Sequence, residues 1–356
     1  KSHRGHAIYS GHVVLVFDEC HRSQFGDMHT DITRAFRNYH LFGFTGTPIF
    51  AENASSSGKA NLRTTQQAFG DQLHSYTIVD AIRDNTVLPF RVDYLNSFRV
   101  RDGVDNHDVE GIDTDSAYMN PQRISAVVSY ILEHFDQKTK RHASFQYKER
   151  RVNGFNSLFA TSSIKAARAY YQEFKRQQAD LPEARRLSVG IIYSYAPNAE
   201  APGTGLLSEE SMDPSALSQD DRAFLDEAIA DYNQQFGTNY GTDASGFESY
   251  YESLSQALTD RRIDLVIVVD MFLTGFDSKS LNTLWVDKNL RAHGLIQAFS
   301  RTNRILNSVK TYGNIVCFRN LEDATNDAIA LFGNKEARGQ VLLRPYGEYL
   351  STYLET

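Results

Sequence analysis

VVLVFDECHRSQFGDMHTDITRAFRNYHLFGFTGTPI, residues 13–49, contains two apolar runs that each end in a polar turn. Stretches of helical spacing, such as 161–178 and 295–306, separate several further apolar runs of the same kind, at 187–193, 264–269, 283–287 and 313–318. Near-continuous Val/Ile/Leu strands that alternate with helices are typical of a parallel sheet covered on both faces. We therefore expect an α/β protein that binds its ligands at the carboxyl ends of its strands.

Length and composition limit the class of protein. A chain of 356 residues fits two domains of about 100–200 residues each. Apolar and charged fractions of 41% and 23% are those of a globular protein, and no apolar run approaches the ~20 residues of a membrane span. With no signal segment and only Cys20 and Cys317, which we predict to be buried, the expected compartment is the cytoplasm.

The net charge of -7 argues against broad nonspecific adhesion to nucleic acid. It leaves room for a locally basic groove, because a few phosphate contacts are enough to follow a nucleic-acid backbone.

The domain organisation follows from where the strand–helix alternation stops and restarts. A polar stretch with little periodicity follows residue 95, and a helix with a basic loop (136–151) leads into the next strand. We predict a first domain in 1–95, a linker or insertion in 96–150, a second domain in 151–320 with an insertion at about 196–247, and the start of a helical domain in 321–356.

The turn after the first strand carries two adjacent acids, Asp18 and Glu19. In a nucleotide hydrolase one such carboxylate holds Mg²⁺ through water, and the other orients and deprotonates the attacking water. The alternative for a lone strand followed by two acids is a solvated acidic turn. The second strand of the opening stretch ends in Thr45-Gly46-Thr47-Pro48, and we expect its small hydroxyls to hydrogen-bond across to the first turn.

A third constellation lies in DLVIVVDMFLTGFDSKSLNTLWVDKNLRAHGLIQAFSRTNRI, residues 264–305. Gly275 and Asp277 form a G-x-D turn after an apolar strand. We predict that one helix carries Gln297, Ser300, Arg301 and Arg304, with the two arginines on one face because they are three residues apart. Two guanidiniums on one face repel unless an anion such as a triphosphate lies opposite. The alternative is an exposed basic helix.

These motifs, together with LFATSS at 158–163, occur in the order found in superfamily 2 helicases and translocases. More narrowly, DECHRSQFG, GFTGTPIF, MFLTGFDSK and HGLIQAFSRTNRI resemble the motor (R) subunit of type I restriction-modification enzymes. The resemblance implies two RecA-like parallel-sheet domains, the first incomplete at its N-terminus, followed by the start of a C-terminal helical segment. It also implies a type I site-specific deoxyribonuclease as the parent enzyme, in which ATP and Mg²⁺ drive translocation along double-stranded DNA. The implied partners are the modification (methyltransferase) and specificity subunits of the same complex.

The resemblance assigns a role to each residue that matches a motif. For nucleotide chemistry it implies that Asp18 holds Mg²⁺ through water, that Glu19 activates water, and that Gly275, Asp277, Gln297, Arg301 and Arg304 contact the nucleotide. It further implies that His21, Thr45, Thr47 and Gln297 couple nucleotide state to DNA contact, and that Thr161 and Ser162 touch a DNA phosphate. Many superfamily members have Thr where this chain has Val269, and Thr274 is a weak substitute for the phosphate contact.

A phosphate-binding loop G-x-x-x-x-G-K-[ST] is missing from the sequence. Its nearest mimics fail, since SSGKAN has Ala60 after the lysine and GFDSKS has Ser278 in place of the second glycine. In the family this loop lies upstream of the DECH strand, so we expect that the sequence begins inside the first domain. On its own the chain is then expected to hydrolyse little or no ATP and to cleave nothing.

Two other readings stay open from the residues alone. Another superfamily 2 motor, such as a type III restriction or excision-repair enzyme, would share the same motifs. A non-catalytic DNA-binding or assembly module would keep them only as vestiges, although intact Glu19, Arg301 and Arg304 argue against drift. The acidic segment 208–231 and the basic run 138–151 are solvated loops or docking surfaces.

Overall fold

The computed structural model of the chain describes residues 6–23, 27–54, 63–95, 117–193, 217–333 and 338–343. The first apolar runs of the sequence form β1 (His12–Phe17) and β2 (Asn38–Gly43), which pair in parallel from His12 opposite Asn38 to Phe17 opposite Gly43. Short helices α1 (Cys20–Ser23), α2 (Asp27–Ala35) and α3 (Thr65–Phe69) accompany this pair, and α4 (Ile78–Arg83) follows them in the chain. A single 3₁₀ turn, Ala7–Tyr9, precedes β1.

A second sheet has six strands, all parallel, and confirms the predicted α/β class. Its order is β3-β10-β9-β6-β8-β7, where the strands are β3 (Phe90–Tyr94), β6 (Asn156–Thr161), β7 (Val189–Ile192), β8 (Leu265–Val268), β9 (Leu281–Asp287) and β10 (Gly313–Cys317). Every residue of β6, β8, β9 and β10 is buried, as expected for parallel strands covered on both faces.

The helices of the second sheet are α5 (Pro121–Lys138), α6 (Ile164–Gln178), α7 (Gln219–Phe236), α8 (Ala244–Thr259), α9 (Ala292–Phe299), α10 (Glu322–Phe332) and α11 (Arg338–Val341), with a 3₁₀ turn at Glu183–Arg185. Their ends follow local sequence rules. Helix α5 starts with a capping Asn120 and Pro121 in the first turn, and α7 stops at Gly237, which takes the left-handed conformation that glycine tolerates. Within the described ranges, no helix has the length and apolar character required to span a bilayer.

The parallel pair β1–β2 is less covered than the sequence predicts. Val14, Val16, Phe42 and Phe44 are exposed by 40% or more, and alternate residues along both strands face outward. Coverage on both faces therefore holds for the six-stranded sheet but not, among the described residues, for this pair. We call β1, β2 and the turns after them, up to residue 54, the first lobe, and the six-stranded sheet with its helices the second lobe.

The predicted linker contains regular structure. Residues 121–138 form α5, which packs against α6, and the segment predicted as a basic loop is an antiparallel hairpin of β4 (Ser144–Tyr147) and β5 (Arg150–Asn153). The loop prediction was wrong because alternate apolar residues, Tyr147 and Val152 among them, are buried under the hairpin, and Lys148 adopts a positive φ in its turn.

Strand β3 lies within the predicted first domain but pairs with β10 of the second lobe. Parts of the predicted linker (96–116), insertion (196–216) and helical segment (334–337 and 344–356) lie outside the described residues. The domain division itself stays a prediction.

A buried ionic cluster ties helices to the sheet at the end of β9. Both Asp287 oxygens accept hydrogen bonds from Arg123, at 2.6 and 2.9 Å, while Arg319 and Tyr170 donate at 3.0 and 2.6 Å. Burial alone would raise the pKa of Asp287, but the hydrogen bonds from Arg123 and the charge of Arg319 hold it below its usual range. The carboxylate therefore stays charged inside the protein.

Candidate functional site

Two acidic side chains stand at the carboxyl end of β1. Backbone hydrogen bonds from Phe44 to Phe17 (2.8 Å) and from Cys20 to Phe44 (3.0 Å) continue the strand pairing into this turn. Glu19 adopts a positive φ of 45°, and its amide donates to Asp18 Oδ1 at 2.9 Å. Both carboxylates are exposed, so the turn presents them to solvent at the edge where parallel sheets bind ligands.

A buried histidine joins the two strand ends of the first lobe. His21 Nδ1 lies 2.7 Å from Thr45 Oγ1 and 3.4 Å from Glu19 Oε2, and the imidazole has no exposed surface. The Thr45 hydroxyl also accepts from the amide of Thr47 at 3.0 Å. The prediction that a hydroxyl of the TGTP turn bonds across to the DECH turn is confirmed.

Helix α9 of the second lobe reaches this histidine. Gln297 Nε2 lies 3.2 Å from Thr47 Oγ1 and 3.4 Å from His21 Nε2. With the Gln297 amide assigned this way round, its nitrogen donates to His21 Nε2, and we assign the His21 proton to Nδ1, which faces Thr45 and Glu19. Gln297 Oε1 is buried and has no hydrogen-bond partner among the described residues, which leaves an acceptor at the junction of the two lobes.

His293, which the sequence did not single out, lies one helical turn before Gln297 and shares its face. Its ring stacks on His21, with centroids 5.6 Å apart and planes inclined by 24°. Its Nε2 lies 3.2 Å from both the Pro48 carbonyl oxygen and Asn53 Nδ2. The four-residue spacing of HGLIQ was the one signal in the sequence for this residue, and nothing in the sequence indicated Asn53.

The two arginines do not share a helical face, so that prediction was wrong. Helix α9 ends at Phe299, because Thr302 turns back to bond the Phe299 carbonyl through both its amide and its hydroxyl. Arg301 donates to the carbonyls of Gln297 (Nε, 3.1 Å) and Phe276 (Nη1). Arg304 lies in a bridge with Val87 beyond the helix.

The G-x-D turn brings an acid to the second arginine. Gly275 has φ 70°, a left-handed conformation that favours glycine. A β-carbon added there would meet no heavy atom within 4 Å, so the backbone conformation and not space calls for glycine. Asp277 Oδ1 then lies 2.9 Å from Arg304 Nε, and both side chains are about half exposed. Thr274, just before the glycine, is buried. An exposed ion pair of this kind can exchange its partners for the polar groups of a ligand.

The residues predicted to contact DNA lie at the carboxyl end of β6. Thr161 is fully buried and its hydroxyl donates to the Val268 carbonyl at 3.0 Å, whereas Ser162 is partly exposed. Ser163 caps α6 by accepting from the Ala166 amide at 3.2 Å. A phosphate at this edge would therefore meet Ser162 and the helix amides before the Thr161 hydroxyl.

The acidic turn fits a hydrated magnesium ion. Mg²⁺ usually keeps several waters and takes only one or two protein carboxylates beside substrate phosphates, and Asp18 is an exposed carboxylate of that kind. In the part of the chain that the structure describes, no group of three or more His, Cys, Asp or Glu side chains could enclose a metal. The donor set thus suits an ion shared with a phosphate and not a closed protein site.

Comparison with known proteins finds similar families in both parts of the chain. Residues 3–122 match the SWI2/SNF2 ATPase family, and residues 153–320 match type I restriction enzyme subunit R domain 3. The endonuclease subunit of type I restriction enzyme SauMRSORF196P from Staphylococcus aureus (strain MRSA252) is 40% identical over 347 residues, and that of SsaAORF53P from Staphylococcus saprophyticus is 42% identical. Each alignment covers 96% of this chain but 34% of the relative, so the chain spans about a third of their length.

A solved structure also shares the fold. A fragment described as an HsdR subunit of a type I restriction enzyme from Vibrio vulnificus YJ016 superposes with a TM-score of 0.53 at 13% identity, covering 90% of this chain and 46% of that one.

Proposed function

The chain is a homologue of the endonuclease (R) subunits of type I restriction enzymes, and we propose that it forms most of their ATP-driven DNA-translocating motor. In the parent protein, this motor would move double-stranded DNA before a nuclease domain outside this sequence cleaves it. The parent would then be a type I site-specific deoxyribonuclease. By itself, the chain is proposed to turn over little ATP, because its sequence contains no phosphate-binding loop.

The observation that carries the proposal is the contact between Gln297 and the His21–Thr47 pair. It joins a side chain of the second lobe to the turn that presents Asp18 and Glu19. Through this contact, a movement of the second lobe would change the position of the turn that carries Asp18 and Glu19. A motor requires such coupling between domain movement and hydrolysis. Gln297 Oε1, which lacks a partner among the described residues, is an acceptor suited to a water molecule at the same place.

We assign the chemistry to side chains by their exposure and contacts. Glu19, exposed and next to His21 Nδ1, would orient and deprotonate the attacking water, and Asp18 would hold the hydrated Mg²⁺ that offsets phosphate charge. Arg301 and Arg304 would approach the γ-phosphate from the second lobe, with Gly275 and Asp277 near the ribose. For Arg304 this requires release of Asp277, which the exposure of that pair permits.

Binding of DNA and of partner subunits is also part of the proposal. Ser162 and the amides at the start of α6 would contact a backbone phosphate, with Thr161 and Thr274 shaping the edge behind them. The modification and specificity subunits would assemble with the parent protein and supply the recognition of a DNA sequence. The cytoplasm is the proposed compartment.

The test is ATP turnover with and without duplex DNA. It would be measured for this chain and for a version extended upstream to include a phosphate-binding loop, called the extended protein below. We expect turnover only in the extended protein, stimulation by duplex DNA, loss of turnover in Glu19→Gln, and no change in Glu133→Gln, an exposed acid on α5. Displacement of a triplex-forming strand without separation of the duplex would distinguish translocation from strand-separating helicase activity.

Turnover by the chain as given, abolished by Glu19→Gln, would show that other residues hold the phosphates. DNA binding with no response to nucleotide in the extended protein would favour the non-catalytic module instead.

A further inference from the structure

His293 is enclosed by three different segments of the protein. Its ring has no exposed surface and contacts His21 of the DECH turn, the loop after the TGTP turn through Pro48 and Asn53, and Phe332 at the end of α10, edge to face at 5.0 Å. A buried imidazole is polar and has to satisfy both ring nitrogens. Its neighbours therefore fix how it is protonated and how it is held.

The hydrogen bonds of Asn53 define that state. Asn53 Oδ1 accepts from the Phe50 amide at 2.7 Å, which sets the orientation of the amide and turns Nδ2 toward the imidazole. Asn53 Nδ2 lies 3.2 Å from Nε2 and 3.4 Å from Nδ1, and Nε2 also lies 3.2 Å from the Pro48 carbonyl oxygen, which can only accept. We therefore assign the proton to Nε2, which donates to Pro48, and leave Nδ1 as the acceptor for the Asn53 amide. In this assignment both ring nitrogens of His293 bond to the first lobe.

His293 in turn supports His21 through the stacking of their two rings. One face of its imidazole lies on His293, and its two nitrogens are taken by Gln297 on one edge and Thr45 with Glu19 on the other. Because the two rings stack with their planes inclined by only 24°, each one limits how far the other can tilt. If His293 leaves, His21 loses the surface that keeps Nδ1 pointed at Glu19.

We propose that His293, oriented by Asn53, is a positioning residue that holds His21, and through it Glu19, in the geometry needed for activation of water. The inference rests on the proposed function in that Glu19 is taken as the base. Every contact that His293 makes to the first lobe exists only while the two lobes are together, so Glu19 is supported only in the closed arrangement. Phe332, which also packs 6.4 Å from Phe50, brings the end of α10 into the same junction.

The test separates the ring from its hydrogen bonds. His293→Phe keeps the aromatic surface and removes both hydrogen bonds, whereas His293→Gln keeps a donor for Pro48 and an acceptor for Asn53 without the ring. His134→Phe is the matched control, because His134 also stacks on an aromatic ring, that of Tyr130 at 4.0 Å, but on α5.

Two measurements are made. In this chain, nitrogen-15 spectra of the imidazoles report the tautomer of His21, and we expect His293→Phe and Asn53→Ala to shift or broaden the His21 signals while His134→Phe leaves them unchanged. In the extended protein we expect His293→Phe to lower kcat by about 10-fold, the scale of one or two lost hydrogen bonds, with an unchanged KM for ATP. His293→Gln should recover part of that kcat.

Unchanged His21 signals in both His293→Phe and Asn53→Ala would overturn the inference, as would equal losses of kcat in His293→Phe and His134→Phe. Absence of turnover in the unsubstituted extended protein would instead count against the proposed function. The spectra of this chain would still decide whether His293 positions His21.

Discussion

Gln297 Nε2 lies 3.2 Å from Thr47 Oγ1, so helix α9 of the second lobe is hydrogen-bonded to the turn that ends the second strand of the first. The same nitrogen lies 3.4 Å from His21 Nε2. One amide group thus contacts both turns that carry the predicted hydrolytic chemistry. Gln297 therefore links the contact between the lobes to the orientation of His21.

Gln297→Ala is therefore expected to uncouple the lobes without unfolding either. Loss of two buried hydrogen bonds removes about 1–3 kcal/mol, so kcat for ATP in the extended protein should fall by roughly 10-fold or more. Turnover is measured with and without duplex DNA, and the stimulation by DNA should fall as well. Gln146→Ala, an exposed glutamine on the β4–β5 hairpin, is the control. Full DNA stimulation in Gln297→Ala would refute the role of this contact.

The Asp277–Arg304 pair allows function to be separated from stability. Both side chains are about half exposed, and such pairs contribute about 0–1 kcal/mol to the free energy of unfolding. Arg304→Ala should therefore unfold in urea at almost the same concentration as the unsubstituted chain. An arginine that reaches the transferring phosphate is worth on the order of 10³-fold in kcat, and turnover by the extended protein should fall by about that much. Arg83→Ala, which breaks an exposed ion pair with Asp80 on α4, should change neither quantity. Retained turnover in Arg304→Ala would remove this arginine from the site.

Lys310 gives the protein a pH dependence near neutrality. Its ammonium group is buried and donates to the carbonyls of Lys279 (3.0 Å) and Leu281 (2.6 Å), close to the charges of Asp277 and Arg304. Burial lowers its pKa from 10.5 to about 7, against a smaller opposing effect of Asp277. Between these two values the unfolded chain binds a proton that the folded chain does not. The free energy of unfolding therefore rises with pH from about 7 to about 10.5.

Lys310→Met should remove that slope. The substitution also leaves two carbonyls without their donor, which lowers stability at every pH, so the slope and not the level is the test. Urea unfolding at several pH values between about 6 and 10 measures it, and Lys175→Met, at an exposed lysine on α6, should keep the slope of the parent. If the free energy of unfolding changed with pH in the same way in Lys310→Met and in the unsubstituted chain, Lys310 would not titrate in this range.

The sequence predicted β7, β8, β9 and β10 at 187–193, 264–269, 283–287 and 313–318 because each contains a mostly apolar run, the kind of segment that a parallel sheet buries. The sequence did not predict the features that tertiary contacts determine. Arg304 lies outside the predicted helix because the Thr302 hydroxyl bonds to the Phe299 carbonyl and ends the helix there. The hydrophobic periodicity of the sequence does not show such a bond between a side chain and the backbone. The role of His293 depends on Asn53, 240 residues away in the chain, and no local pattern encodes such a pairing.

Strand β3 shows the same limit at the level of domains. Phe90 to Tyr94 follow the first-lobe motifs in sequence, so they were predicted in the first domain, yet they complete one edge of the six-stranded sheet beside β10. A strand of five residues such as β3 carries no local signal of which sheet it joins, since the pairing partner decides it.

Asp287 is expected to be the most sensitive position for folding. It accepts hydrogen bonds from Arg123, Arg319 and Tyr170 in the interior, so Asp287→Asn leaves two buried guanidiniums without a counter-charge. Breaking a buried pair in this way typically costs about 3–5 kcal/mol, which urea unfolding near neutral pH would measure. Asp231→Asn is the matched control, because Asp231 also accepts from a tyrosine and a lysine but lies nearer the surface, and its loss should cost about 1 kcal/mol or less.

The acid limb of stability should depend on the same carboxylate. The pKa of Asp287 is lower in the folded protein than in the unfolded chain, so its contribution is complete above the unfolded value of about 3.9 and is lost as the pH falls through the folded value. As the pH falls from about 5 to the pKa of Asp287 in the folded protein, the unsubstituted chain should therefore lose stability more steeply than Asp287→Asn does. Equal acid limbs in the two proteins, together with a neutral-pH cost no larger than that of Asp231→Asn, would mean that the two arginines are stabilised by groups other than Asp287.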